Sequence, residues 1–112
     1  MSKANFRQHL LEIHEQCQNI LDAIGPMSFE DYEKNLIVRS AVERFLINLG
    51  IIAFQIRQEH PKQFDEIEAL RLAIGLRNRL AHGYDEEIDD AKIWEVIQKS
   101  IPRLMEELGS DS

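Results

Sequence analysis

The chain has 112 residues, of which 44% are hydrophobic and 29% are charged, and its formal net charge at pH 7 is −7. This length and composition predict one ordinary globular domain over residues 1–112. They exclude a broadly basic protein that coats nucleic acid, so any nucleic-acid contact must be local. No apolar run approaches the roughly 20 residues of a membrane span, and the first residues lack the apolar stretch of a signal peptide. With Cys17 as the only cysteine, we expect a cytoplasmic protein without an intrachain disulfide.

The first predicted helix is defined by apolar residues that recur every three or four positions from Phe6 to Ile24. Gly25-Pro26 ends it, because glycine suits the position after a helix and proline cannot continue the turn. Cys17 falls on the apolar stripe, which predicts a buried small hydrophobic side chain.

The second predicted helix begins at Ser28, with Asp31 three positions later in the role of a capping box. Its apolar pattern continues until His60-Pro61. If continuous, this helix has about 30 residues and is roughly 45 Å long, and Gly50 is a candidate for a bend.

Two more helices complete the predicted fold. The third begins near Phe64-Asp65 and reaches the arginine-rich segment that starts at Arg77, and the fourth follows the acidic run 85–90. Pro102 lies inside the apolar pattern of the fourth helix, so we expect a kink or a restart capped by Ser100. The sequence therefore predicts an all-α, up-and-down bundle of four to five helices.

The most informative segment is Arg77-Asn78-Arg79-Leu80-Ala81-His82-Gly83-Tyr84. No acidic residue occurs from Arg71 through Tyr84, so three arginines stand without a local counter-charge beside a histidine. In an acidic chain this pattern suggests an anionic ligand, with the phosphate of a nucleic acid as the leading candidate.

A turn of about 100° per residue places Arg77 on the apolar side of the third helix, whereas Arg71, Arg79 and His82 share its polar face. Burying an unpaired charge costs several kcal/mol, so Arg77 needs an anionic partner or must open into a cleft. The alternative is a structural salt bridge to Glu43 or Glu33 on the second helix.

His82 stands about 140° from Arg77 on an ideal helix, so the two do not share a face within one chain. They come together if the helix ends at His82 and Tyr84 turns back, or if a two-fold dimer joins two motifs. The broad apolar arc of this helix favours the dimer. Alternatively, His82 only complements the helix dipole, Tyr84 is a packing aromatic, and Asn78 is a polar-face residue or orients His82.

Other kinds of site are weakly represented in the sequence. His9 and Glu12 lie one helical turn apart, but His14 points elsewhere and no third ligand is evident, so no metal site is predicted. Residues 85–90 lack the ligand spacing of a calcium loop. A glycine-rich phosphate loop and a serine–histidine–acid pattern are absent from the sequence.

The segment from Ile74 to Tyr84 resembles the signature of the HepT group of the HEPN superfamily, whose motif is arginine, four residues, histidine, one residue and tyrosine. Arg77, His82 and Tyr84 match it, and Asn78 follows the arginine as is usual there. The run Ala41–Arg44 and the later Gly50 and Trp94 are also similar to the family layout, so the resemblance covers nearly the whole chain. The chain departs from the family at Ile51, where many relatives have an acidic residue.

This resemblance implies an all-α homodimer whose two motifs line a cleft and cut RNA without a metal or another cofactor. It also implies a toxin paired with an MNT-type nucleotidyltransferase antitoxin, which neutralises it by attaching AMP to the motif tyrosine, here Tyr84.

The residue chemistry is compatible with these implications. His82, with a reference pKa near ~6.5, can act as acid or base at neutral pH, and Arg77 can hold two phosphate oxygens with its planar fork. Arg79 and Arg71 can position the RNA backbone, with Asn78 in a supporting role. AMP on Tyr84 would add negative charge and bulk that repel RNA.

The leading hypothesis is therefore a metal-independent endoribonuclease toxin with Arg77 and His82 catalytic. The alternatives are a non-catalytic helical adaptor that binds a nucleotidyltransferase, and a plain structural dimer with Arg77 sealed in an intrachain ion pair.

Overall fold

The fold is known from a computed structural model, which describes residues 5–81 and 89–109. These residues form seven α-helices and one π-helical segment. In chain order they are α1 (Phe6–Ile24), α2 (Phe29–Lys34), α3 (Leu36–Glu59), α4 (Pro61–Glu66), α5 (Glu68–Ala81), α6 (Asp90–Glu95), the π-helical segment (Val96–Ser100) and α7 (Ile101–Gly109).

The first helix has the predicted limits. Asn5 caps α1 by accepting a hydrogen bond from the Arg7 N–H at 2.8 Å. Gly25 follows the helix with φ of 52°, in the region that favours glycine, and its N–H donates to the Leu21 carbonyl at 2.9 Å. The apolar stripe faces the core, and Cys17 is fully buried, which raises the pKa of its thiol to about 12.

The predicted second helix is interrupted near its start. The Ser28–Asp31 capping box is present, but α2 ends at Lys34 and Asn35 takes an extended conformation. Asn35 Oδ1 then accepts a hydrogen bond from the Val38 N–H at 3.0 Å and starts α3. The prediction of one continuous helix was wrong, because an asparagine side chain competes with the helical backbone and caps a new helix.

The predicted third helix also consists of two pieces. Pro61 occupies the first turn of α4, where a proline is tolerated, and Ile67 is extended between α4 and α5. Ile67 is nevertheless buried, so the break turns α5 without removing this side chain from the core. The separate helix α5 carries the arginine-rich segment up to Ala81.

The last helical region contains a π-helical turn where a restart was predicted. The Ile101 N–H bonds to the carbonyl of Val96, five residues earlier, and α7 follows directly. Ser100 lies within this wider turn and does not cap a new helix. Because Pro102 has no N–H and its ring crowds the preceding turn, a local widening accommodates it without ending the helical path.

Helix α3 is the centre of the molecule and contacts α1, α2, α4 and α5, while α7 packs on α1. The predicted all-α helical bundle is confirmed for the described residues, among which there is no strand. None of the helices in residues 5–81 and 89–109 is long and apolar enough to cross a membrane. The fully buried core side chains include Ile13, Ile20, Tyr32, Val42, Leu49, Ile56, Leu70, Ile93 and Ile97.

The stability of the fold depends on pH in part through Glu43 on α3. Burial raises the pKa of its carboxyl above the ordinary value of 4.5, Asp90 raises it further, and Arg39 opposes both. Arg39 pairs with Asp90 at 3.3 Å. The folded state therefore favours the protonated form of Glu43, so its contribution to stability is present below pH 4.5 and is lost as the pH rises through the folded pKa.

We expect Glu43→Gln to raise the Tm at pH 7, because the amide removes a partly desolvated charge beside Asp90. The gain should shrink as the pH falls below 4.5, where Glu43 is protonated in both states. Thermal unfolding from pH 3 to pH 8 measures this, with the exposed Glu33→Gln as the control. A Tm gain that is equal at all pH values would contradict the assignment.

Candidate functional site

Arg77 lies on α5 where this helix crosses Gly50 of α3. A side-chain carbon at position 50 would overlap Cβ of Arg77 and would lie 2.8 Å from both Arg77 Cγ and the Ala73 carbonyl oxygen. The aliphatic stem of Arg77 therefore packs directly on the α3 backbone. This contact fixes where the side chain leaves α5.

Arg77 is half-buried, and its guanidinium has one hydrogen-bond acceptor among the described residues. Its Nη1 donates to Asn78 Oδ1 at 3.1 Å. Its Nε is buried and has no hydrogen-bond partner among the described residues. An arginine has five N–H donors in a planar fork, and those on Nη1 and Nη2 that Asn78 does not use remain for an anion, whereas Nε is closed to solvent.

The structural salt bridge considered for Arg77 is not found. Within residues 5–81 and 89–109, Arg77 forms no ion pair with Glu43, Glu33 or another carboxylate. Its helical position was predicted correctly, since Leu70 and Ile74 on the same stripe are buried. The described residues therefore do not support the structural salt bridge, and the binding of an anion by Arg77 stays a prediction.

The other residues of the predicted site are only partly brought together. Asn78 accepts a hydrogen bond from Arg77, and its supporting role stays a prediction. Arg71 is exposed and pairs with Asp65 at 3.6 Å, and Arg79 is also exposed. Arg71 and Arg79 line a groove that does not include Arg77, so the three arginines do not form one patch.

His82 and Tyr84 lie outside the described residues, which reach Ala81 before the gap at 82–88. Their predicted roles as catalytic acid or base and as the modified tyrosine therefore stay predictions. The same holds for the proposed helix end at His82 and for a contact between Asn78 and His82.

An apolar groove of about 460 Å³ runs between α5 and the segment from α6 to α7. Leu72 is 62% exposed, and Leu76 and Leu80 are only partly buried. The broad apolar arc of α5 is thus covered on its α3 side and left partly open on the other. The sequence predicted this excess of apolar surface, and within the described chain it is not fully buried.

The contact between Gly50 and Arg77 was not predicted from the sequence. The sequence suggested a bend there, but Gly50 lies inside the uninterrupted α3 and is buried against Arg77. A glycine within a long helix is a signal of close backbone approach, although its partner cannot be read from spacing.

The described residues define an all-α protein in which a half-buried arginine lies where α5 crosses α3. The chain belongs to the HepT-like ribonuclease family, whose model, described as "Ribonuclease HepT-like", matches residues 13–110. This match covers α1 from Ile13 and the whole of α3, α5 and α7.

Curated relatives agree with the family match. Two of them are each named as a "Putative RNase". One, from Methanocaldococcus jannaschii, is 25% identical over 108 residues, which are 96% of this chain and 97% of the relative. The other, from Caldanaerobacter subterraneus subsp. tengcongensis, is 29% identical over 98 residues, or 88% of this chain and 86% of the relative. No solved structure gives a significant match.

Proposed function

We propose that this protein is a metal-independent endoribonuclease and the toxin of a toxin–antitoxin pair that acts in the cytoplasm. Membership of a ribonuclease family and full-length relatives named as RNases support the activity. In this proposal Arg77 and His82 are the catalytic residues, Tyr84 is the site of nucleotidylation, and the antitoxin is an MNT-type nucleotidyltransferase.

The observation that carries the proposal is that Arg77 is half-buried and forms no ion pair among the described residues. A partly desolvated guanidinium attracts an anion more strongly than an exposed one, because the surrounding protein screens the charge less than water does. Its stem is fixed by Gly50, and among the described residues only Asn78 uses one of its donors. A phosphodiester offers two oxygens for the remaining fork.

The reaction balances with these two residues. The 2′-oxygen of RNA forms a bond to phosphorus while the bond from phosphorus to the 5′-oxygen breaks. His82 takes the 2′-hydroxyl proton as the base and then returns it, as the acid, to the leaving 5′-oxygen, since its imidazole suits either task at neutral pH. Arg77 stabilises the charge that builds up on the phosphorane oxygens. The products are a 2′,3′-cyclic phosphate and a 5′-hydroxyl.

The proposed active form is a homodimer with a composite cleft. On an ideal helix His82 points about 140° away from Arg77, which favours completion of the site by a second copy. The open apolar side of α5, with Leu72 62% exposed, supports a further packing partner.

Nucleotidylation of Tyr84 would switch the enzyme off. Attached AMP adds a phosphate charge and a nucleoside two residues from His82, and both oppose the binding of another phosphodiester chain. Since the modification acts through charge and bulk, it needs no change of fold.

The direct test uses purified, tag-free protein in EDTA with an RNA and the matching all-deoxy strand. We expect cleavage of the RNA with 2′,3′-cyclic phosphate ends and no cleavage of the deoxy strand, which lacks the attacking hydroxyl. Mass spectrometry of the fragments identifies the ends. Cleavage of the deoxy strand, or a strict requirement for a metal ion, would reject the proposed chemistry.

Inducible expression separates the toxin from a helical adaptor. We expect the wild-type chain to arrest growth, His82→Ala to be harmless, and co-expression of the neighbouring gene to restore growth. A chain that binds a nucleotidyltransferase tightly but neither cuts RNA nor slows growth would instead be an adaptor.

A further inference from the structure

A second cluster of chemically active side chains lies away from Arg77, where α1 meets the end of α3. It consists of His9 in the first turns of α1, Glu59 at the last position of α3, and His60 directly after it. One ligand atom from each of the three residues lies within 4.8 Å of the others.

His9 is the unusual member of this cluster. It is the one polar or charged side chain counted as buried among the described residues, with 3% of its surface exposed. Its Nε2 lies 3.5 Å from Glu59 Oε1, at the long limit of a hydrogen bond, and its Nδ1 has no hydrogen-bond partner in the described chain. A buried imidazole with such weak partners is costly unless something else satisfies it.

The carboxylate of Glu12 lies near the second ring nitrogen of His9, as is usual for a metal-bound histidine. Glu12 Oε2 lies 3.8 Å from His9 Nδ1, on the opposite side of the ring from Glu59. Metal-bound histidines usually donate their second ring N–H to a carboxylate, which fixes the ring and makes it a better ligand. His9 can therefore present Nε2 to an ion while Nδ1–H turns toward Glu12.

We propose that His9, Glu59 and His60 form a zinc-binding site with Glu12 as its supporting carboxylate. Two imidazoles and one carboxylate suit Zn²⁺, whereas Mg²⁺ and Ca²⁺ prefer oxygen ligands alone. Tetrahedral zinc with bonds of about 2.0–2.1 Å holds its ligand atoms about 3.4 Å apart. The cluster needs to contract by about an ångström to reach this spacing, and Glu59 and His60 are partly exposed side chains that can move.

The site would clamp the start of α1 to the junction of α3 and α4. His60 ends α3 and precedes Pro61, and its side chain makes no capping hydrogen bond to α4. Its ring lies against those of Phe6 and His9, with centroids 5.6 and 6.1 Å away. Glu59 is nine residues from Gly50, about 13.5 Å along the helix axis, so the ion would stabilise the fold and take no part in RNA cleavage.

The test is a calorimetric titration of the chelator-stripped, tag-free chain with Zn²⁺ and, separately, with Mg²⁺. We expect saturable binding of one Zn²⁺ per chain, no comparable binding of Mg²⁺, and a Zn²⁺-dependent rise in Tm. His60→Ala and Glu59→Gln should each weaken Zn²⁺ binding by about tenfold or more. Co²⁺ in place of Zn²⁺ should give the visible absorption of a four-coordinate complex.

Two other histidines serve as matched controls. His14→Ala removes an exposed imidazole from the same helix, and His82→Ala removes the motif histidine; both should leave Zn²⁺ affinity unchanged. The proposal is overturned if Zn²⁺ does not saturate, or if binding survives in both His60→Ala and Glu59→Gln. Neither variant alters a fully buried side chain, so failure to fold should not obscure the result. RNA cleavage in EDTA is a separate measurement, and at a temperature below the Tm of the metal-free chain its outcome does not depend on this site.

Discussion

Arg77→Ala should reduce the rate of RNA cleavage by a factor of about 10²–10³, equivalent to about 2.7–4 kcal/mol of transition-state stabilisation. The physical reason is that Arg77 is half-buried, its stem is fixed on Gly50, and its guanidinium has Asn78 as its one acceptor among the described residues. An alanine keeps the Cβ that packs on α3 and removes the charge and the fork. The fold should therefore survive while the chemistry is lost. Single-turnover cleavage and urea unfolding of the same preparation measure the two effects.

Arg103→Ala is the matched control, because it removes the same charge from an exposed position on α7 where the arginine pairs with Glu107 at 3.2 Å. An exposed pair of this kind contributes little to stability. Arg77→Lys adds a second comparison, since lysine keeps the charge but lacks the planar fork that binds two phosphate oxygens at once. Equal cleavage by Arg77→Ala and the wild type would remove Arg77 from the catalytic residues.

The helices could be predicted because their signals are local. Apolar spacing, the Ser28 capping box and the Gly25-Pro26 stop each act within a few residues, and the structure has them as predicted. The breaks at Asn35 and Ile67 could not be placed by periodicity, because the apolar pattern continues across them. The π-helical turn before Pro102 was also missed, since a proline inside a helical pattern predicts an irregularity in the helix but not its type.

Local sequence patterns also predicted only part of the candidate site. The turn of 100° per residue was enough to place Arg77 on the buried stripe of α5, and its neighbours Leu70 and Ile74 are buried as expected. That Arg77 contacts Gly50, 27 positions earlier, depends on how α5 crosses α3, which no local pattern specifies. The separation of Arg71 and Arg79 from Arg77 also follows from the helical turn, which placed them on different faces of the predicted helix.

The histidine cluster was hidden for a related reason. Along the first helix, Glu12 lies one turn from His9, His14 points elsewhere, and no third ligand is evident. The structure brings Glu59 and His60 from the far end of α3, about 50 positions away. Ligand spacing in sequence detects sites built on one or two adjacent turns, and misses sites assembled between distant helix ends.

Gly50→Ala should lower both stability and activity, and so connects the packing of α3 to the chemistry of α5. The added methyl group would overlap Arg77 Cβ and press on the Ala73 carbonyl oxygen at 2.8 Å. Both obstacles lie near the α5 backbone and cannot swing away, so the helices must separate. Overpacking of this kind costs about 1–3 kcal/mol. A displacement of Arg77 by about an ångström can reduce the cleavage rate about 100-fold.

Gly75→Ala is the matched control, because Gly75 lies in the middle of α5 and a side-chain carbon there would meet nothing within 4 Å. At that position alanine should be neutral or should stabilise the helix by about 0.5–1 kcal/mol. Urea unfolding gives the stability of both variants, and cleavage assays well below their Tm give the activity of the folded protein. If Gly50→Ala were as stable and as active as Gly75→Ala, the α3 backbone would not be what holds Arg77 in place. Reduced cleavage by fully folded Gly50→Ala protein would instead make Gly50 a positioning residue for Arg77, although glycine has no side chain that could take part in the reaction.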